Sequence, residues 1–266
     1  MDRREFFGYM AAGLASGLLK PFPGKMDAAV AKSRIRAIAF DAFPIFDPRP
    51  ISVLAENLFP GKGTALSDEW RTRQFEYTWL RIATRHYADF WQVTQDALVF
   101  VTNKLKLELR VDQRESLMDE YLKLTVWPDA IPALRALKKL GFRLAFLSNL
   151  TPRMLAANIG NAGLDALFEQ VLSTDRVKTY KPDPRGYRLG TDTLRLRREE
   201  ILFVASAGWD AAGAKLFGYP TFWVNRLKLP VEELGAVPDA SGNSLSDLLQ
   251  FLARSQGHKT IGRLPL

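Results

Sequence analysis

Four residues of this chain have the types and the placement to do chemistry together: Asp41, Ser148, Lys181 and Asp210. Asp41 closes the apolar run Ile35-Arg36-Ala37-Ile38-Ala39-Phe40, and Ser148-Asn149 closes Leu144-Ala145-Phe146-Leu147. Lys181 follows Gln170-Val171-Leu172-Ser173, and Asp210 follows Ile201-Leu202-Phe203-Val204. Two carboxylates, a hydroxyl and an ammonium are the material of a catalytic or anion-binding site, provided that the fold brings them together. Short apolar runs separated by helical segments predict a parallel sheet buried on both faces. In such a sheet ligands collect beyond the carboxyl ends of the strands. All four residues are expected at that end.

The elements that must position them can be read along the chain. Residues 43–50 are rich in proline and predict a loop leaving the sheet. Residues 68–86 carry Trp70, Phe75, Trp79, Ile82 and Ala83 at helical spacing. Residues 88–107 and 112–124 read as two further helices. The block from 51 to 124 is therefore a helical insertion over the strand ends, placed to act as a lid. A helix is expected from Trp127-Pro128-Asp129 to Leu140, stopped by Gly141. Further helices are expected at 151–161, 184–194, 209–217 and 244–253, with a last strand at 221–224. Residues 234–243 read as a Pro/Gly-rich linker. The resulting expectation is a Rossmann-like α/β core at 32–50 and 125–256, a helical cap at 51–124 and a tail at 257–266.

Bulk composition narrows the function. The chain has 266 residues and no cysteine, which excludes disulfides and thiolate chemistry. Its only imidazoles are His86 and His258, and neither stands in a zinc-type spacing. The formal charge is +8, but the basic residues are scattered and no nucleic-acid motif occurs. That charge suits small anions. At the N-terminus, Arg3-Arg4-Glu5-Phe6-Phe7 resembles a twin-arginine export signal, residues 8–19 are weakly apolar, and Ala29-Val30-Ala31 is an A-x-A cleavage site. The expectation is a signal at 1–31, engagement of the twin-arginine export machinery, a mature start at Lys32 and a periplasmic location. The apolar stretch is too short for a stable membrane anchor.

Order, spacing and strand context of Asp41, Ser148, Lys181 and Asp210 resemble the four-part signature of the haloacid dehalogenase superfamily. Within it the chain is similar to the L-2-haloacid dehalogenases from Arg34 to about Phe251. The nearest stretches are Trp70-Arg71-Thr72-Arg73-Gln74-Phe75-Glu76-Tyr77-Thr78-Trp79-Leu80-Arg81, Lys181-Pro182-Asp183-Pro184-Arg185-Gly186-Tyr187 and Trp209-Asp210-Ala211-Ala212-Gly213-Ala214. Phosphatases of this superfamily place an acid two residues after the nucleophile, to protonate the leaving group, and further acids to hold magnesium. Here that position is Phe43, and Asp210 is the only acid between Phe203 and Gly213. A halide leaves as an anion and needs no proton, and an apolar Phe43 suits a pocket that desolvates a carboxylate.

The resemblance implies a covalent mechanism with no metal and no cofactor. Asp41 attacks the carbon bearing halogen and forms an ester, which water cleaves. Lys181 keeps Asp41 ionised, and Asp210 orients Lys181 and the water. Ser148, with backbone N–H groups near Ala42, Phe43 and Asn149, binds the substrate carboxylate. Arg71 of the lid attracts the halide, while Phe75, Phe90 and Trp209 wall the pocket and Tyr187 lines it. The implied partner is a small 2-halo carboxylate, and a homodimer stays open. Two departures stand out. Phe43 is followed by Pro44-Ile45-Phe46 in place of the usual Gly-Thr-Leu, one residue shorter, and Ala205-Ser206-Ala207-Gly208 replaces a Ser-Ser-Asn before the Trp-Asp pair. A metal-independent hydrolase of another small anion, or a carboxylate binder without turnover, are the alternatives.

Overall fold

The computed structural model describes residues 35–255. The expected export signal and the C-terminal tail lie outside the described residues. Six strands form one parallel sheet: β1 (Ala37–Phe40), β4 (Arg143–Ser148), β5 (Gln170–Ser173), β6 (Ile201–Ala205), β7 (Thr221–Val224) and β8 (Ala240–Gly242). Their spatial order is β5-β4-β1-β6-β7-β8. The chain steps outward from β1 through β4 and β5, then returns to the other side of β1 for β6. The strand order thus reverses at β1, and a crevice opens there at the carboxyl ends.

Every residue of β1 is fully buried, which explains its unbroken apolar run. Its side chains alternate between two cores. Ile38 and Phe40 pack with α5 (Ala130–Lys139), α6 (Pro152–Asn161) and α9 (Leu245–Ser255). Ala37 and Ala39 face α7 (Pro184–Leu194) and α8 (Gly208–Phe217). On that second face Ala37, Ala39, Ala145 and Ala205 are small where Tyr187, Phe203 and Tyr219 are large, so the aromatic rings fit against the sheet.

Local signals fix the helix ends. Thr151 caps α6 by accepting a hydrogen bond from Met154 N at 3.2 Å, with Pro152 in the first turn. Asp183 caps α7 through Arg185 N at 2.8 Å, with Pro184 following. Past α5 and α8 the chain turns at Gly141 (φ 86°) and Gly218 (φ 105°), a region costly for residues with a Cβ.

The helices α1 (Arg49–Leu58), α2 (Gly63–Ala83), α3 (Phe90–Lys104) and α4 (Val111–Glu120) lie between two short strands, β2 (Phe46–Asp47) and β3 (Thr125–Val126). These two pair antiparallel, Phe46 with Val126 and Asp47 with Thr125. Trp70, Phe90, Leu98 and Leu117 of the helices join the same apolar cluster as Phe40 and Phe146 of the sheet. The lid is thereby packed onto the core.

The sequence reading needs four corrections here. The proline-rich segment is not loop throughout: it contains β2, and α1 starts at Arg49 with Pro50 in its first turn, where no N–H is missed. The helix expected from residue 68 begins at Gly63. The helix expected to reach 124 stops at Glu120, because Thr125–Val126 is a strand. The expected linker at 234–243 holds β8, which extends the sheet beside β7.

Candidate active site

Asp41 is the first residue beyond β1, and its backbone N–H is still tied to Val204 O of β6 at 3.0 Å. Ser148 is the last residue of β4, Lys181 lies in the loop before α7, and Asp210 stands in the first turn of α8. These elements bring the four side chains to one place. Lys181 Nζ donates to Asp41 Oδ1 at 3.0 Å and to Asp210 Oδ2 at 2.7 Å. Ser148 Oγ donates to Asp41 Oδ1 at 3.3 Å, and Phe43 N donates to Asp41 Oδ2 at 3.2 Å. Both oxygens of the Asp41 carboxylate are therefore oriented.

Burial sets the electrostatics. Lys181 is 0 % exposed, Asp210 1 % and Asp41 8 %. Burial by itself lowers an ammonium pKa, but Asp210 and Asp41 outweigh it and hold Lys181 above its ordinary value. For Asp210 the balance falls the other way. Burial raises its pKa most, the neighbouring Asp41 charge raises it further, and Lys181 and Tyr187 only partly oppose them; the result is about 6. Lys181 thus remains a cation while Asp210 titrates just below neutral pH. The ammonium also lies 4.8 Å from the centroid of the Phe203 ring beneath it.

Above the carboxylates is a pocket lined by Asp41, Phe43, Arg71, Phe75, Phe90, Ser148, Asn149, Leu150, Ser206, Ala207, Trp209 and Asp210. Phe75 and Trp209 meet with ring centroids 5.1 Å apart, and Trp79 backs Trp209 at 5.6 Å. Arg71 comes from α2 and is exposed. Its guanidinium carbon lies 5.3 Å from the Phe43 ring centroid and 5.6 Å from that of Phe75. Among the described residues no carboxylate forms an ion pair with it, so its charge faces the pocket mouth and solvent.

Of the residues singled out in the sequence, Asp41, Phe43, Arg71, Phe75, Phe90, Ser148, Asn149, Trp209 and Asp210 all line this pocket. Lys181 sits just beneath it. Tyr187 does not line it, a correction to the sequence reading. It is fully buried behind Asp210, donating to Asp210 Oδ1 at 2.7 Å, while Tyr219 OH donates to Tyr187 O at 2.7 Å. The cause is the face of α7 it occupies, which packs on the sheet. Burial and the Asp210 charge raise the Tyr187 pKa well above the ordinary phenol value, so it remains a donor. Asn149 has its side chain engaged elsewhere: Oδ1 accepts from Lys181 N at 2.9 Å and from Thr174 Oγ1 at 3.1 Å. It anchors the Lys181 loop. Leu150 escaped the sequence reading, although its position directly after Ser148-Asn149 was a usable signal. Ser206 and Ala207, the altered segment, reach the pocket wall.

Among the described residues no group of three or more His, Asp or Glu side chains is arranged to hold a metal ion. Between the two carboxylates of the site stands the Lys181 ammonium.

Comparison with known proteins follows the same lines. The family model for haloacid dehalogenase-like hydrolases matches residues 35–218. The (S)-2-haloacid dehalogenase of Pseudomonas sp. (strain YL) is 42 % identical over 224 residues, covering 84 % of this chain and 97 % of that protein. The crystal structure of the L-2-haloacid dehalogenase RSc1362 superposes with a TM-score of 0.82 at 44 % identity, covering 83 % of this chain and 99 % of the other. The L-2-haloacid dehalogenase from Xanthobacter autotrophicus, solved with chloropropionic acid covalently bound, gives a TM-score of 0.77 at 33 % identity, covering 85 % and 100 %.

Proposed function

The chain belongs to the haloacid dehalogenase-like hydrolases, and from that premise we propose that it is an (S)-2-haloacid dehalogenase working through an ester on Asp41. One observation carries the mechanism: the Lys181 ammonium bridges Asp41 and Asp210 on the floor of an aromatic pocket whose mouth holds Arg71.

In the first step an Asp41 oxygen attacks C2 of the acid. The carbon–halogen bond breaks, the halide leaves with the electron pair, and C2 inverts. Lys181, Ser148 Oγ and Phe43 N–H hold the carboxylate aimed. The aromatic wall strips water from the nucleophile and from the carbon it attacks. Arg71, a permanent cation, stabilises the departing halide. No general acid is needed, which agrees with Phe43 two residues after the nucleophile. In the second step water adds to the Asp41 ester carbonyl, the 2-hydroxy acid is released and Asp41 is restored. Asp210, ionised above a pH of about 6, orients Lys181 and takes up the proton of that water.

The test is isotopic. Under single-turnover conditions in 18O water, label enters the peptide containing Asp41, and Asp41→Asn abolishes halide release from 2-chloropropionate. Label found only in the hydroxy acid after one turnover would mean direct displacement by water and would remove the ester from the scheme.

The same proposal extends to export. Arg3-Arg4 followed by an apolar stretch and Ala29-Val30-Ala31 supports transport to the periplasm by the twin-arginine machinery. Among the described residues no helix is long and apolar enough to cross a membrane. Replacing both arginines by lysine keeps the charge and is expected to leave the precursor in the cytoplasm. Unchanged periplasmic recovery of the double variant contradicts the signal.

A further inference from the structure

The segment that carries the Asp41-facing amide is held from behind. Between β1 and β2 the chain turns through Ala42, Phe43, Pro44 and Ile45. All four carbonyls have donors. Ala42 O accepts from Ile45 N at 3.1 Å and Phe46 N at 2.9 Å. Phe43 O accepts from the Trp127 indole Nε1 at 3.1 Å, Pro44 O from Arg226 Nη2 at 3.1 Å, and Ile45 O from Trp127 N at 3.0 Å. Two residues distant in sequence, Trp127 and Arg226, thus take three consecutive carbonyls.

These two are themselves fixed. Arg226 Nη2 also pairs with Asp129 Oδ2 at 3.0 Å, and the same oxygen accepts from Leu245 N at 2.7 Å. Both members of that pair are largely withdrawn from solvent, with side-chain exposures of 16 % and 18 %. The Arg226 guanidinium carbon lies 4.3 Å from the Trp127 ring centroid, and that of Arg49 lies 4.4 Å from it. Arg49 is in turn gripped by Asp47, with contacts of 2.8 Å and 2.6 Å to Oδ2. The indole is stacked against charge and can present its N–H in one direction only.

A peptide plane held at its carbonyl end is held at its neighbours too. The Phe43 N–H, which donates to Asp41 Oδ2 at 3.2 Å, sits one bond from the Phe43 Cα whose carbonyl Trp127 grips. Pro44 restricts the next φ and has no N–H to compete. We propose that Trp127 and Arg226 are positioning residues: they clamp the Phe43-Pro44 turn so that the Phe43 amide stays aimed at the nucleophilic carboxylate. Neither touches the pocket. They act through the turn, and the catalytic consequence rests on the dehalogenase reading.

The deciding variants are Trp127→Phe, which keeps an aromatic ring and loses the N–H, and Arg226→Lys, which keeps a charge but removes the Nη2 group that donates to both Asp129 Oδ2 and Pro44 O. Two readouts are taken on the full chain. Amide exchange by NMR is expected to quicken about tenfold at Phe43, the effect of losing one hydrogen bond, while Ile38 and Leu202 in the central strands keep their protection. With 2-chloropropionate, kcat is expected to fall roughly five- to twentyfold with KM within about twofold, since the lost aim affects the attack more than binding. Unchanged Phe43 exchange in both variants overturns the clamp. Exchange quickened throughout the sheet also overturns it, because the loss is then general instability. Quickened Phe43 exchange with unchanged kcat overturns the positioning role. Should the native protein release no halide from any 2-haloacid, the dehalogenase reading fails, and Phe43 exchange still decides whether the clamp exists.

Discussion

Tyr187→Phe isolates the device that tunes Asp210. The phenol lies entirely out of solvent and donates to Asp210 Oδ1 at 2.7 Å. Its ring stacks edge-on to Phe203 at 5.6 Å, a contact that phenylalanine keeps. Only the hydroxyl is lost. A hydrogen bond to an ionised group is worth ~1.5–3 kcal/mol and one to a neutral group ~0.5–1.5 kcal/mol. The ionised form of Asp210 therefore loses ~1–1.5 kcal/mol more than the protonated form, which is roughly one pH unit. Burial has already lifted Asp210 to about 6, and the variant should titrate about one unit higher.

The assay is halide release across the acid and neutral range, with kcat/KM fitted for its acid limb. That limb belongs to the coupled Asp41–Lys181–Asp210 cluster and not to one residue alone. The native protein is expected to lose activity as pH falls through about 6, and Tyr187→Phe to lose it about one unit higher, with the plateau little changed. Stability runs in the opposite sense. The folded-state pKa of Asp210 is raised above 3.8, so its stabilising contribution is present below that value and is lost as pH rises through about 6. Activity and this share of stability must then cross in the same window. An acid limb at the same pH in both proteins would refute the assignment of Asp210 to the limb, and a shift to lower pH would refute the role given to Tyr187.

Two further substitutions test the pocket wall. Arg71→Ala should reduce kcat/KM for 2-chloropropionate by roughly tenfold or more, less than the ~10²–10³ typical of a buried donor because Arg71 is exposed; equal rates in the two proteins at low salt would remove Arg71 from the halide site. Ala207→Asn adds an amide at a residue that lines the pocket and is also the uncapped N-cap of α8. It should raise kcat/KM about five- to hundredfold if the amide reaches substrate or halide, equivalent to ~1–3 kcal/mol, and should raise stability by ~1 kcal/mol if it caps the helix instead. Parallel kinetic and urea titrations separate the two outcomes, and no change in either contradicts both.

What could be read ahead of the structure followed burial. β1, β4 and β6 lie in the middle of a parallel sheet, so both faces are apolar and the strand stands out as a continuous run ending at a polar residue. Asp41, Ser148 and Asp210 were legible for that reason. β8 was not: Ala240-Ser241-Gly242 is an edge strand of small, partly exposed residues, and its composition is that of a linker. β2 and β3 are two residues each, below any periodicity. α1 was hidden by Pro48 and Pro50, which argue against a helix interior but are at home at a helix start. The placement of Tyr187 failed because proximity to Lys181 in sequence says nothing about which side of α7 faces the sheet. Trp127 and Phe43 are 84 positions apart, and no local pattern announces a bond between them.

The charges of the site are the reason a lid cation is expected to matter to a protein whose scattered basic residues already give +8. On the pocket floor Asp41 and Asp210 contribute two negative charges when both are ionised, and Lys181 contributes one positive charge that both share. At neutral pH the floor is thus net negative, and a 2-haloacid arrives as a second anion. Distant lysines and arginines cannot offset this, since beyond roughly 10 Å their fields are screened by salt. The offset must come from groups at the mouth: the dipoles of Ser148 and nearby amides, and Arg71, whose guanidinium lies over Phe43 and Phe75 with no carboxylate ion pair among the described residues. Arg71 is therefore expected to serve twice, drawing the carboxylate in and then receiving the halide. It follows that Arg71→Ala should raise KM as well as lower kcat, and that the KM increase should shrink below pH about 6, where protonation of Asp210 removes one negative charge from the floor. A KM penalty independent of pH would show that the floor charge and the lid cation are not in balance.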